Sequence, residues 1–182
     1  MNGEHDPNQP PAQEAPAPPR PEVVRPNVED IPDLLDLWQQ QYDYHHDLDP
    51  AYYVPFTDEL RVQLEADLLE MIEAEESHIL VAKDGTSVLG FITFGRDQDD
   101  YYDANIRDYG VLKELLVTEG ARGRGVGREL VTTVEEHFRA QGVSDIMIQC
   151  SSFNANALAV YNAMGYTIRQ ELLYKKLTAD SA

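Results

Sequence analysis

Three arginines and four glycines share the run GARGRGVGREL between Gly120 and Leu130, in a chain of formal net charge −19. Arg122, Arg124 and Arg128 are three of only 14 basic residues, and the glycines beside them give no side-chain cover. A strand-like segment leads in and a helical pattern leads out, so Gly123, Gly125 and Gly127 stand where free backbone N–H groups and a helix dipole converge on an anion. A Cβ there would hold a phosphate off those donors. No Gly-Lys-Ser/Thr follows, and the spacing is not the dinucleotide G-x-G-x-x-G. Taken alone, a glycine-rich turn serves a tight chain reversal as readily as an anion.

A second group with chemical potential lies downstream. Asn154, Ala157 and Tyr161 fall within nearly two helical turns on one face, a narrow strip with a phenol at its end. The same spacing also fits an ordinary core tyrosine. Glu114, on the strand before the loop, is a candidate general base that an exposed structural glutamate would equally explain. His45, His46 and the tyrosines of YDYHHDLDPAYY are alternatives. DQDDYYDAN lacks the glycine a calcium loop needs, since Tyr102 stands at that position, so no metal is assigned. Cys150 ends an apolar run and reads as packing rather than nucleophile.

The elements that must position these groups follow from period and punctuation. Val23 to Arg25 reads as a short strand. Ile31, Leu34, Leu35, Trp38 and Tyr42 give helical spacing over Asp30 to His46. Thr57 is the expected N-cap of a second helix carrying Leu60, Leu64, Leu68 and Ile72 on one face. HILVA and SVLGFITFG, joined by the turn Lys83 to Thr86, predict an antiparallel hairpin, and YGVLKELLV a strand that delivers the chain into the glycine run. Val126, Leu130, Val134 and Phe138 recur four apart in a helix ending near Gly142. DIMIQC reads as a buried strand, NANALAVYNAMG as a helix and YTIRQELLYKKL as a closing pair of strands, an α/β arrangement.

Composition bounds the function. The chain of 182 residues, 42% hydrophobic, suffices for one domain with one sizeable core. No apolar run reaches 18 residues and no signal pattern opens the chain, so a cytoplasmic protein without a membrane partner is expected. A single cysteine excludes an internal disulfide framework. Seven of the 11 prolines fall in the first 22 residues. Residues 1–21 are therefore expected to be a disordered tail, residues 22–178 the folded domain and residues 179–182 a short C-terminal tail. From Glu29 to Glu76, fifteen acidic residues face one base, Arg61. That field repels nucleic-acid phosphates. It is either a solvated acidic surface or an attractor of cationic partners.

With its flanks included, LLVTEGARGRGVGREL resembles the coenzyme A pyrophosphate loop of the GNAT superfamily of N-acetyltransferases. Leu115 and Val117 match the strand pattern that precedes it, and Arg122, Gly125 and Gly127 match R/Q-x-x-G-x-G/A. Asn154, Ala157 and Tyr161 match the family's N-x-x-A-x-x-x-Y helix, followed by Gly165 and Tyr166 at its Gly-aromatic pair. The resemblance runs from about Glu22 to Leu177, in pattern more than in residues over the first half. It implies a mixed, mostly antiparallel α/β (α+β) sheet of six to seven strands flanked by about four helices. It also implies acetyl-CoA as acyl donor, with its pyrophosphate on the backbone amides of Arg122, Gly123, Arg124, Gly125, Val126 and Gly127. The pantetheine arm would lie along Leu115, Leu116 and Val117, where a bulge splays the strand from DIMIQC, and Asn154 and Ala157 would flank it. The amide of Leu116 or Val117 would support the oxyanion, and Tyr161 the departing thiolate. The implied acceptor is a primary amine on a small molecule or peptide, polyamines and aminoglycosides included, attacking directly without metal or acyl-enzyme. Homodimers are common in that family. A rival reading is a non-catalytic acyl-CoA-binding module of the same fold.

Overall fold

Strand residues alternate between two faces, and in this protein both faces of one sheet are covered. The computed structural model describes residues 20–76, 78–99, 105–106 and 108–175. It contains β1 (Glu22–Val24), α1 (Ile31–Leu48), α2 (Asp58–Glu73), β2 (Ile79–Asp84), β3 (Ser87–Gln98), β4 (Asp108–Val117), α3 (Val126–Ala140), β5 (Ile146–Ile148) and α4 (Ala155–Ala163). The strands lie in the order β1-β2-β3-β4-β5, antiparallel except for the parallel pair β4 and β5. Residues 1–19 of the expected tail, the loop tyrosines Tyr101 and Tyr102, and residues 176–182 lie outside the described residues.

Alternation produces two separate cores. Ile79, Val81, Val88 and Phe91 pack with Ile31, Leu34, Leu37 and Trp38 of α1 and Leu64 and Leu68 of α2. Trp38 stacks on Phe91 with ring centroids 4.3 Å apart. On the opposite face, Ala82, Ile92, Phe94 and Leu112 pack with Val126, Leu130, Val134 and Phe138 of α3 and with Tyr161 of α4. The four-residue period of α3 was visible in the sequence, and all four of those side chains are buried. Gly110 of β4 is where α3 comes closest, since a Cβ there would sit 2.6 Å from the Phe138 ring.

The ends of α1 and α2 are fixed locally. Asn27 caps the turn leading into α1, accepting from the Glu29 N–H at 2.8 Å, while the Asp30 carboxylate accepts from the Asn27 N–H at 3.0 Å. The other Asp30 oxygen receives Lys83 Nζ at 2.6 Å, with the acid almost fully buried. Thr57 caps α2, as its sequence predicts, by accepting from the Leu60 N–H at 3.2 Å. No helix among the described residues is long and apolar enough to cross a membrane.

The expected six to seven strands are a correction: the described residues form five. The closing pair predicted from Tyr166 onward is missing up to Lys175, where no strand is assigned. Alternating apolar residues make a strand only against a ladder and a face to bury on. β5 is three residues long, and Leu172 and Leu173 remain 82% and 90% exposed, so that segment finds neither.

Candidate functional site

The site is built around the second half of β4. Thr93 of β3 pairs with Glu114 but Phe94 pairs with Leu112, so Lys113 is an extra residue and β4 bulges there. On its other side β4 pairs with β5 only through Gly110, Val111 and Leu112. From Glu114 to Val117 the strand is held by β3 alone, and an open edge faces the line that β5 would have continued. Thr118 N–H donates to the Leu89 carbonyl at 2.9 Å. Hydrogen-bonded pairs alternate along an antiparallel ladder. Leu116 therefore spends its amide on Phe91, while Leu115 and Val117 turn theirs toward the open edge. Arg122 Nε donates to the Val117 carbonyl at 3.3 Å, in keeping with that direction.

The loop after β4 divides its amides into two sets. Those of Ala121, Arg122 and Arg124 donate to the carbonyls of Thr118, Glu119 and Ala121 at 3.0, 3.2 and 3.4 Å. The amides of Gly123, Gly125, Val126, Gly127 and Arg128 take no acceptor among the described residues, and α3 begins without a side-chain cap. Gly123 and Gly125 have φ of 74° and 85°, the left-handed region, and a Cβ on either would point into open space. Gly127 lies over Val117 and Leu115, with room for a Cβ at ordinary contact distance of 3.6 and 3.8 Å. The cradle of free N–H groups, with Arg124 only 3.9 Å from an exposed Asp84 carboxylate, fits a diphosphate by its donor set.

Glu114 points to the opposite face of the sheet, toward α1. Its own N–H donates to Thr93 Oγ1 at 3.0 Å. Its carboxylate accepts a short hydrogen bond from Gln41 Nε2. Burial pushes the Glu114 carboxyl above the usual carboxylate range, offset in part by the Gln41 bond and by the charge of His45. That is the direction a general base near neutral pH requires. Gln41 is 9% exposed, and its second heteroatom, Oε1, is buried with no hydrogen-bond partner.

Tyr161 approaches from the α3 side. Its ring is buried against Tyr166, with centroids 5.8 Å apart, and no hydrogen bond engages its hydroxyl among the described residues. Burial, and then the neighbouring Cys150 and Glu114, push the phenol far above its ordinary range, so it stays protonated. The Cys150 thiol is also raised by burial, the direction opposite to that of an activated nucleophile. Asn154 caps α4 by accepting from the Ala157 N–H at 3.2 Å, a structural task that its motif position did not reveal.

The residues flanking Glu114 on α1 and in the following loop are aromatic and acidic. His45 stacks on Tyr53 at 4.8 Å, Tyr53 exchanges a hydrogen bond with Ser151 at 2.9 Å, and Tyr52 meets Tyr53 edge to face. Tyr44 and Tyr52 are exposed. Gln41 and Ser151 were not singled out from the sequence. Both act through partners more than seventy residues away, and no local pattern signals such pairs.

With this geometry in hand, comparison with known proteins is specific. The profile of the Acetyltransferase (GNAT) family matches residues 33–166. The IAA acetyltransferase of Azospirillum brasilense is 27% identical over 101 residues, covering 56% of this chain and 61% of that protein. A probable N-acetyltransferase family 8 member 5 of Mus musculus is 38% identical over 55 residues, covering 30% of this chain and 24% of its own. The matches thus span less than two thirds of these relatives. Among solved structures, a mutant of the BH1408 protein of Bacillus halodurans superposes with TM-score 0.74 at 18% identity, covering 86% of this chain and 99% of that one. The aminoglycoside N-acetyltransferase AAC(6')-Iy, in complex with CoA, superposes with TM-score 0.67 at 17% identity, covering 91% and 100%.

Proposed function

This chain belongs to the acetyltransferase (GNAT) family, and on that premise we propose that it transfers an acetyl group from acetyl-CoA to a primary amine by direct attack in a ternary complex. Acetyl-CoA supplies an activated thioester. The free amides of Gly123, Gly125, Val126, Gly127 and Arg128 hold its diphosphate, and Gly123 and Gly125, without side chains on the open side, let the backbone approach. Leu115 offers its outward N–H and C=O groups to the amide-bearing arm, as an added strand would. The Val117 N–H takes the negative charge that develops on the thioester oxygen. Glu114 removes a proton from the amine, and Tyr161 donates a hydrogen bond to the sulfur as it leaves.

The observation that carries this reading is the departure of β4 from β5 after Leu112. Beyond that point Glu114, held on the α1 side by Gln41, and Tyr161, packed on the α3 side, are near enough for the Glu114 charge to raise the Tyr161 phenol, which supports placing the reaction between them. For the acceptor, we infer a cationic small molecule or peptide amine. The support is the acidic stretch Glu29 to Glu76 that forms α1 and α2, with the exposed rings of Tyr44 and Tyr52 among it. The test is thiol release from acetyl-CoA across phenethylamine, spermidine, kanamycin and a lysine-containing peptide, beside calorimetry with CoA. Acceptor-dependent release is expected for at least one amine. CoA binding without any such release would make the protein a binding module, and no CoA binding would remove the loop assignment.

A further inference from the structure

The least explained atom of the site is Gln41 Oε1. It is a buried carbonyl oxygen without a partner, on a side chain whose other heteroatom is bonded to the proposed base. Buried polar atoms are paired in folded proteins, and each exception calls for a reason. Both heteroatoms sit on one carbon, so the unpaired oxygen lies beside the same carboxylate that is to receive the amine proton. Its hydrogen-bond capacity is acceptor only, so what completes it must carry a donor.

We propose that Gln41 Oε1 accepts the N–H that the acceptor nitrogen keeps, and that this makes the site selective for primary amines; the inference rests on the acetyltransfer reading above. A neutral primary amine has two N–H groups. One proton passes to the Glu114 carboxylate as the nitrogen lone pair forms the C–N bond and the C–S bond breaks with its electrons going to sulfur. The other N–H remains through the reaction and survives in the product amide, held by Gln41 Oε1. A neutral secondary amine, an alcohol or a thiol has a single hydrogen on the attacking atom and surrenders it to Glu114. Gln41 Oε1 would then stay buried and unpaired next to the reacting centre. A site built to receive a hydrogen rejects the analogue that lacks it far more strongly than an apolar pocket rejects a misfit. Gln41 also positions Glu114 through Nε2, so the two ends of one amide fix the base and sort the nucleophile.

The experiment measures acetylated product by mass spectrometry for the best primary amine of the panel with its N-methyl and hydroxyl counterparts. For phenethylamine these are N-methylphenethylamine and 2-phenylethanol. Wild-type protein is expected to favour the primary amine by about a hundred-fold or more in kcat/KM. Gln41→Met keeps the volume and removes both heteroatoms. It should lower the primary-amine rate by about ten-fold beyond its effect on the other two, so the preference shrinks by that factor. Thermal unfolding is measured alongside to establish that Gln41→Met folds, since the gain from removing an unpaired buried oxygen is set against the loss of the Nε2 bond to Glu114. A preference unchanged in a folded Gln41→Met protein overturns the proposal. So does wild-type protein that acetylates N-methylphenethylamine or 2-phenylethanol as readily as phenethylamine, a result that needs no variant. Failure of the underlying reading looks different: no amine is turned over at all, or Glu114→Gln leaves turnover intact.

Discussion

Tyr161→Phe isolates the chemistry of one oxygen. The ring is buried and its hydroxyl bonds to nothing among the described residues, so the deletion leaves packing in place and costs little stability. The magnitude follows from acidity. A phenol near 10 facing a thiol near 8.5 makes full proton transfer uphill by about 2 kcal/mol before any environmental shift. Burial raises the phenol further, so in the proposed mechanism the proton remains on Tyr161 and the group serves as a hydrogen-bond donor to the developing thiolate. Such a bond to a charged acceptor contributes about 1.5–3 kcal/mol. Turnover in Tyr161→Phe should therefore fall by roughly ten- to a hundred-fold. CoA affinity measured by calorimetry should stay within about two-fold, and the unfolding temperature should be unchanged or slightly higher. The assay is acceptor-dependent thiol release under saturating acetyl-CoA. Undiminished turnover would refute the reasoning, and so would a loss matched by equal losses in CoA binding and unfolding temperature, which would make Tyr161 a packing residue.

Three further outcomes are expected. Gly125→Ala forces a side chain into φ of 85° and should lose about 1–2 kcal/mol in urea unfolding together with CoA affinity, whereas Gly127→Ala, with room against Val117, should change neither by much. For Glu114 the folded carboxyl titrates above its unfolded value of about 4.3, so the native state binds the extra proton and stability falls as pH rises through that window. Glu114→Gln escapes that loss, so its stability relative to wild type should increase from pH 4 to pH 8 by thermal unfolding while turnover disappears; a gap independent of pH would contradict the burial argument. Lys83→Met strands the buried Asp30 carboxylate and should cost about 3 kcal/mol in urea unfolding.

Much of the donor side was legible because its signals are local. Gly123 and Gly125 adopt the left-handed conformations that a tight loop into a helix demands, and Val126, Leu130, Val134 and Phe138 print their period directly in the chain. The strand before the loop was equally plain, and its bulge was anticipated only through family resemblance. Less was legible where a residue serves two grammars. Asn154 reads as one end of a binding strip but caps α4, since a cap and a ligand contact use the same side-chain oxygen. The apolar run Leu172, Leu173 and Tyr174 reads as strand, yet pairing depends on an edge that a three-residue β5 does not extend. Gln41 was silent because its meaning arises only when α1 is laid across β4. The acidity was obvious as charge, and its place beside an acceptor groove was legible only through the family resemblance; the structure lays α1 and α2 on the face toward which Glu114 points.

The two cores on either side of the sheet draw on neighbouring residues of the same strands, among them Phe91 with Ile92 and Val81 with Ala82. Mutations that reshape the α1 and α2 layer can thus accumulate without disturbing the layer that carries α3. On the proposed mechanism, a lineage built on this plan can change the amine it accepts while the loop before α3 is inherited unaltered, so long as Gln41 of α1 keeps its bond to Glu114.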